Sequence, residues 1–313
     1  MYPSFTDEEL RRRYGTTTYF FDEVELVHLA GRNGNEVLGI CGRFIKDTTL
    51  TREQVYVEGQ GLMHDRDQMQ SSPSALFLLI LNSHRLVYVK ETVDAPPKEA
   101  FRSTLLSFLR QVHARVLKEK LSAVDAGEMD RDAAKEAKDQ IREQYQRPTL
   151  ELIALTSEES IEEFISKYEV LTQIRIVLSE RNDEADLDEF FNQMQHAKDS
   201  IGSADTTLTH RARDGLDKDE AISQVAAATA QGNQSVTLRG SDEGGDTLIG
   251  NNEKFQLRTP LENLSSDPEA AADQMFEAFS DLANRGLIQL PNIGKRTARA
   301  IAAIFAEYFD ERR

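Results

Sequence analysis

Cysteine occurs once, at Cys41, so no intramolecular disulfide can form. A disulfide-stapled secreted scaffold is thereby excluded, and the cytoplasm is the expected compartment. No apolar run approaches the roughly 20 residues that span a bilayer. The start, Met1-Tyr2-Pro3-Ser4-Phe5-Thr6-Asp7-Glu8-Glu9, has neither a basic segment nor an apolar core, so no signal peptide is expected. Positive charge is scarce: 37 Lys and Arg stand against 54 Asp and Glu, a net charge of -17. Taken globally, that disfavours polyanionic partners unless basic groups gather locally. The six histidines are scattered without helical pairing or a cysteine partner, so no metal site and no cofactor is expected. Asp242, Glu243 and Asp246 form an acidic turn that could at most hold a cation loosely. Glu136-Ala137-Lys138 has the Glu-x-Lys ending of a nuclease motif, but it lies in a helical pattern where that motif needs a strand. The chain is therefore expected not to be an enzyme.

Against this acidic background one stretch is basic. Between Arg285 and Arg299 there is no acid, and the run Leu290-Pro291-Asn292-Ile293-Gly294-Lys295-Arg296 is similar to the hairpin of a helix-hairpin-helix, usually Leu-Pro-Gly-Ile-Gly. Leu290-Pro291 reads as the end of one helix, because proline cannot continue it. Asn292 and Gly294 are residue types that tolerate a left-handed backbone, with Ile293 pointing into a small core. A second helix is expected from about Lys295, with Ala298, Ile301 and Ile304 on its inner side. A helix N-terminus fed by such a turn presents amides that bind phosphate. Asn292, Ile293, Gly294, Lys295, Arg296, Arg299 and Arg285 are thus expected to contact the backbone of double-stranded DNA without reading bases.

The remainder predicts an α+β protein of two mixed parts followed by a C-terminal helical segment. Residues 1–117 form a first α+β domain. Its strands lie at Thr16 to Phe21, Val37 to Ile45 after a turn over residues 31–35, Leu76 to Leu81 and Arg85 to Lys90. Pro96-Pro97 ends that pattern, and a helix follows with Phe101, Leu105, Phe108, Val112 and Val116 on one stripe. Its other sides carry Arg102, Arg110, His113 and Arg115; Arg110 and Arg115 are further expected phosphate contacts, and Arg11-Arg12-Arg13 is a separate basic cluster. Residues 118–147 read as a charged helical linker. Residues 148–261 form a second α+β domain, with strands at Leu150 to Leu155, Thr172 to Leu178, Ser235 to Arg239 and Phe255 to Arg258. Helices are expected at Ile161 to Ile165, Asp186 to Lys198 and Lys218 to Ala230, the second with Phe190 and Phe191 inward. Residues 262–313 supply the terminal helices, the first opening at Asp267-Pro268.

Thr237-Leu238-Arg239-Gly240-Ser241-Asp242-Glu243-Gly244-Gly245-Asp246-Thr247-Leu248, continuing through Glu253-Lys254 to Leu257-Arg258-Thr259-Pro260-Leu261, resembles the RexA family of phage lambda exclusion proteins. The family also has an acidic-glycine turn and a Pro-Leu step into terminal helices. The resemblance spans about Leu76 to Leu282 and does not include the basic hairpin. It implies a homodimeric, DNA-binding antiphage protein that acts with a membrane effector. Two other classes remain open: a nuclease with an unrecognised site, and a dimeric adaptor whose terminal helices only associate.

Overall fold

The computed structural model describes residues 1–30, 36–127, 130–179, 188–290 and 293–309. The chain is α+β, built on two antiparallel sheets. The first contains β1 (Arg12–Tyr14), β2 (Thr17–Ala30), β3 (Glu36–Val57), β4 (Gly61–Ser71), β5 (Ser74–Ile80) and β6 (Arg85–Lys90), in the order β1-β2-β3-β5-β6. The expected turn over residues 31–35 lies outside the described residues. β3 runs much further than the apolar pattern suggests. Its first half lies between β2 and β5, while Thr48 to Val57 pairs only with β4 in a two-stranded arm.

Strand alternation divides the sheet's apolar residues between two layers. Val27, Leu29, Cys41, Leu76, Leu78 and Ile80 face α7 (Pro268–Asn284), which buries Ala271, Ala272, Met275 and Phe279 against them. Leu38, Ile40, Phe44 and Phe77 face the other way. There they meet Phe5 of α1 (Pro3–Thr6), Phe101 and Leu105 of α2 (Lys98–Ala126), and Ile301 of α8 (Lys295–Tyr308). Residues 262–313 therefore do not stand apart: their two helices cover opposite faces of the first sheet. α2 continues unbroken past Leu117 to Ala126, and α3 (Arg131–Gln144) folds back along it. Lys138 pairs with Asp125, and the His113 ring bonds to the Tyr145 carbonyl at 2.9 Å.

The second sheet has the order β10-β9-β7-β8, from β7 (Val170–Leu178), β8 (Thr206–Arg211), β9 (Gln234–Ser241) and β10 (Thr247–Asn251). α4 (Glu158–Ser166), α5 (Glu189–Ser200) and α6 (Lys218–Thr229) pack on one face around Phe164, Ile165, Ile174, Ile176, Val225 and Leu238. Two glycines allow this closeness. A Cβ at Gly240 would lie 2.1 Å from the Val170 carbonyl, and one at Gly250 2.1 Å from the Phe164 ring. Asp188 and Asp217 cap α5 and α6 with their carboxylates, the cap residue types that satisfy orphan amides.

The structure corrects several expectations. Leu150 to Leu155 is not a strand. Its alternation serves a crossing segment, with Leu150 and Leu152 packed in the α2 layer and Leu155 in the α7 layer. The strand after the acidic turn is Thr247–Asn251 rather than Phe255 to Arg258; Phe255 is instead a buried core residue, and Gln256 makes one isolated bridge to Thr156. Phe190 is exposed while Phe191 is buried, because α5 begins at Glu189; Asp186 and Leu187 fall outside the described residues. β8, with its Thr-rich alternation, is a further strand that the apolar pattern does not single out.

Polar contacts join the first sheet to the second unit and hold the connecting segments together. The buried Arg85 donates to the Ser83 and Gln231 carbonyls, each at 2.8 Å. Thr156 donates to the Thr229 hydroxyl at 2.6 Å, and the Leu257 amide to the Leu155 carbonyl at 2.7 Å.

Candidate nucleic-acid interface

The basic C-terminal stretch differs from the expected hairpin. α7 stops at Asn284, not at Leu290-Pro291, and it stops through Gly286, whose φ of 74° is left-handed. The Leu287 amide reaches back to the Leu282 carbonyl at 3.0 Å and the Gly286 amide to that of Ala283 at 3.1 Å, a Schellman-type closure. The following segment sends Ile288 into the α7 layer and leaves Leu290 exposed. Pro291 and Asn292 lie outside the described residues, so the expected turn at Asn292 is not described. Ile293 is 46% exposed and fills no core. Gly294 has φ −65° and ψ 152°, an extended N-cap that any residue can adopt rather than a left-handed turn. The left-handed position lies further upstream, at Gly286.

α8 itself starts at Lys295 as expected. Its first turn holds no acid, its N-cap supplies no side-chain bond, and Lys295, Arg296 and Arg299 are exposed. Arg285 differs: it forms an ion pair with Asp281 at 3.4 Å on the end of α7. The inner side of α8 carries Ile301, Ile304 and Phe305, while Ala298, expected there, is exposed. His28 of β2 meets the Phe305 ring edge-on at 5.4 Å, and Tyr2 meets Tyr308 at 6.0 Å, which anchors the far end of the helix.

On the same layer lies a second basic feature. Arg110 lines an open groove of about 560 Å³ with Arg12, Arg102, Ser103, Ser107 and Gln111. Among the described residues no carboxylate lines it. Arg12 reaches α2 because β1 pairs with β2 in the register Arg12↔Tyr19, and it donates to the Ser103 hydroxyl at 2.5 Å and that of Thr104 at 3.4 Å. Arg102 donates to the Leu150 carbonyl at 3.3 Å. Arg115 points elsewhere: it binds Asp7, holding α1 to α2, and this hydrogen bond keeps the Asp7 carboxyl below the usual range. Arg11 stacks on the Phe20 ring at 4.0 Å.

Local sequence pattern marks Arg12 and Arg102 as members of two basic groups but leaves the arginine cluster and α2 separate, and it does not single out Ser103, Ser107 or Gln111 as contacts. A signal is nonetheless present: 103, 107, 111 and 102, 106, 110 are two rows of one helical face. Guanidinium groups beside serine hydroxyls are the donor set that holds phosphate oxygens, often bidentately. Among the described residues no three His, Cys, Asp or Glu are placed to hold a metal. The acidic turn is closed on itself, the Asp242 carboxylate accepting the Gly244 and Asp246 amides at 3.0 Å. No described helix is long and apolar enough to cross a membrane. No family model matches the chain, and no curated protein or solved structure does.

Proposed function

We propose that this protein binds double-stranded DNA along the phosphate backbone, independently of sequence. The observation that carries the reading is the acid-free groove of Arg12, Arg102 and Arg110, on the same layer as the exposed Lys295 and Arg299, in a chain of net charge -17. Two helices packed on one face of one sheet give a rigid platform for phosphate contacts, and screening over roughly 10 Å lets local charge outweigh the global sign. The resemblance to the RexA family supports the same reading. It extends it to a homodimer that works in the cytoplasm in phage defence with a membrane-protein effector.

The test is duplex binding as a function of salt. Affinity for unrelated sequences is expected to be similar and to fall steeply as salt rises. Arg102→Ala with Arg110→Ala is expected to weaken binding and lower the log–log salt slope by about 2, because each neutralised phosphate contributes about 0.9. Lys295→Ala with Arg299→Ala is expected to do the same. A flat salt response, or strong preference for one short sequence, sinks the reading.

A further inference from the structure

The three helices of the second unit cover one face of its sheet, and among the described residues its other face is exposed along Arg175, Thr209, Arg211, Ser235, Thr237 and Arg239. Along β9 the residues alternate strictly: Gln234, Val236, Leu238 and Gly240 are buried, while Ser235, Thr237 and Arg239 are exposed. The same alternation turns Arg175 of β7 and Arg211 of β8 outward. Register fixes how these groups meet. Gln173 pairs with Arg239 on one side and Arg211 on the other, and Arg175 pairs with Thr237 and Thr209. Strand spacing puts the Cα atoms of Arg239 and Arg211 about 10 Å apart, with Arg175 about 8 Å from each. Guanidinium groups on such a triangle are far enough apart to reach separate phosphates of one duplex backbone, which carries one charge per strand for roughly every 3.4 Å of helix axis.

The composition of this face separates it from an ordinary solvated one. An exposed antiparallel face usually pairs opposite charges across its strands. Here β7, β8, β9 and β10 contain no Asp or Glu at all, although acids outnumber bases 54 to 37 in the whole chain. Among the described residues the side chains of Arg175, Arg211 and Arg239 have no ion-pair or hydrogen-bond partner. Acids follow β9 in the Asp242 to Asp246 turn, beyond the strand itself. The four strands also contain no Phe, Tyr or Trp, so the face offers no platform on which unstacked bases could rest. Charge without stacking fits a backbone, and a flat surface with threonines between arginines fits the outside of a duplex.

We infer that the open face of the second sheet is a second contact surface for the phosphodiester backbone of duplex DNA, centred on Arg175, Arg211 and Arg239. The inference rests on the nucleic-acid reading above, but on a different surface. Its test uses the full chain in three forms: parent, the groove variant Arg102→Ala/Arg110→Ala, and the face variant Arg175→Ala/Arg211→Ala/Arg239→Ala. Fluorescence anisotropy with a labelled duplex of about 30 base pairs is recorded across a salt series. The face variant is expected to bind at least about tenfold more weakly near 0.1 M salt, with the log–log slope reduced by about 2.7 because three phosphates are no longer neutralised. The corresponding Arg→Lys triple should keep most of the slope. Thermal melting checks folding, since exposed arginines contribute little to stability. If the face variant binds like the parent while the groove variant is weakened, the face inference falls and the groove reading stands. If only the face variant is weakened, the groove reading falls instead. If the parent binds no duplex at any salt, both fall. If the parent binds phosphatidylserine vesicles in place of DNA, and the face variant loses that binding, the surface is a membrane contact and the inference is overturned.

Discussion

Gly250→Ala is a single added methyl whose cost can be worked from the geometry around it. Gly250 lies in β10 opposite Leu238, and its backbone is ordinary strand, so the effect is steric rather than conformational. The new Cβ would stand 2.1 Å from Phe164 Cε1, 2.7 Å from Cζ and 3.1 Å from Cδ1. Carbon atoms rest at about 3.5–4.0 Å, so the ring must retreat by about 1.5 Å or more. It has little room to do so. Phe164 meets Tyr168 edge-on at 5.8 Å and Phe255 at 5.6 Å, and the N-cap hydroxyl of Ser157 fixes the start of α4. Overpacking of this kind costs about 1–3 kcal/mol, and an immobile aromatic neighbour places it at the upper end. At about 3 kcal/mol, a unit of this size loses roughly 12–24 °C in Tm. Circular dichroism melts measure the shift. Phe164→Leu combined with Gly250→Ala should be less unstable than the two single costs added, because the smaller side chain vacates the space the methyl needs. A Gly250→Ala melt within about 1 °C of the parent, or strict additivity in the double variant, would show that the ring does not rest on this glycine.

Gly286→Ala, at φ 74°, should cost about 1 kcal/mol by straining the closure of α7, whereas Gly294→Ser should gain a few tenths by supplying the missing cap of α8; denaturant midpoints distinguish the two signs. Cys41 is buried, and burial, with the Glu25 carboxylate adding to it, pushes its thiol up to about 12. Since a raised thiol value favours the unreactive protonated form, iodoacetamide at about pH 8 should leave native protein unlabelled and label it fully in denaturant, read by intact mass. Labelling of the native protein at the rate of a free thiol would contradict the packing around Cys41.

Much of the fold is legible in the sequence because alternation and helical stripes report burial directly. Leu76 to Leu81, Phe101 with Leu105 and Phe108, and the Pro268 helix start all follow from such patterns. Leu150, Leu152 and Leu155 mislead for the same reason: alternation also fits a segment that feeds side chains to two different layers. The distal half of β3 is silent because a two-stranded arm has no buried face to impose a pattern. At the interface, the basic run around Lys295 is visible as charge, but the position of the left-handed turn is not. Both Gly286 and Gly294 suit one, and only the tertiary docking of Ile288 selects Gly286. The convergence of Arg12 with Arg102 and Arg110 depends on a strand and a helix far apart in the chain, which no local pattern encodes.

The coverage of the first sheet bears on synthesis as well. The second unit is closed by residues that are neighbours in sequence, so it can form soon after it leaves the ribosome. The first sheet cannot. All its strands have been made by Lys90, yet the face bearing Val27, Leu29, Leu76 and Leu78 waits for α7, which ends at Asn284. At about 5–20 residues per second, the intervening stretch takes roughly 10–40 s to translate. During that interval a nascent apolar sheet stands uncovered beside a second unit already able to fold, and chaperone demand should concentrate there.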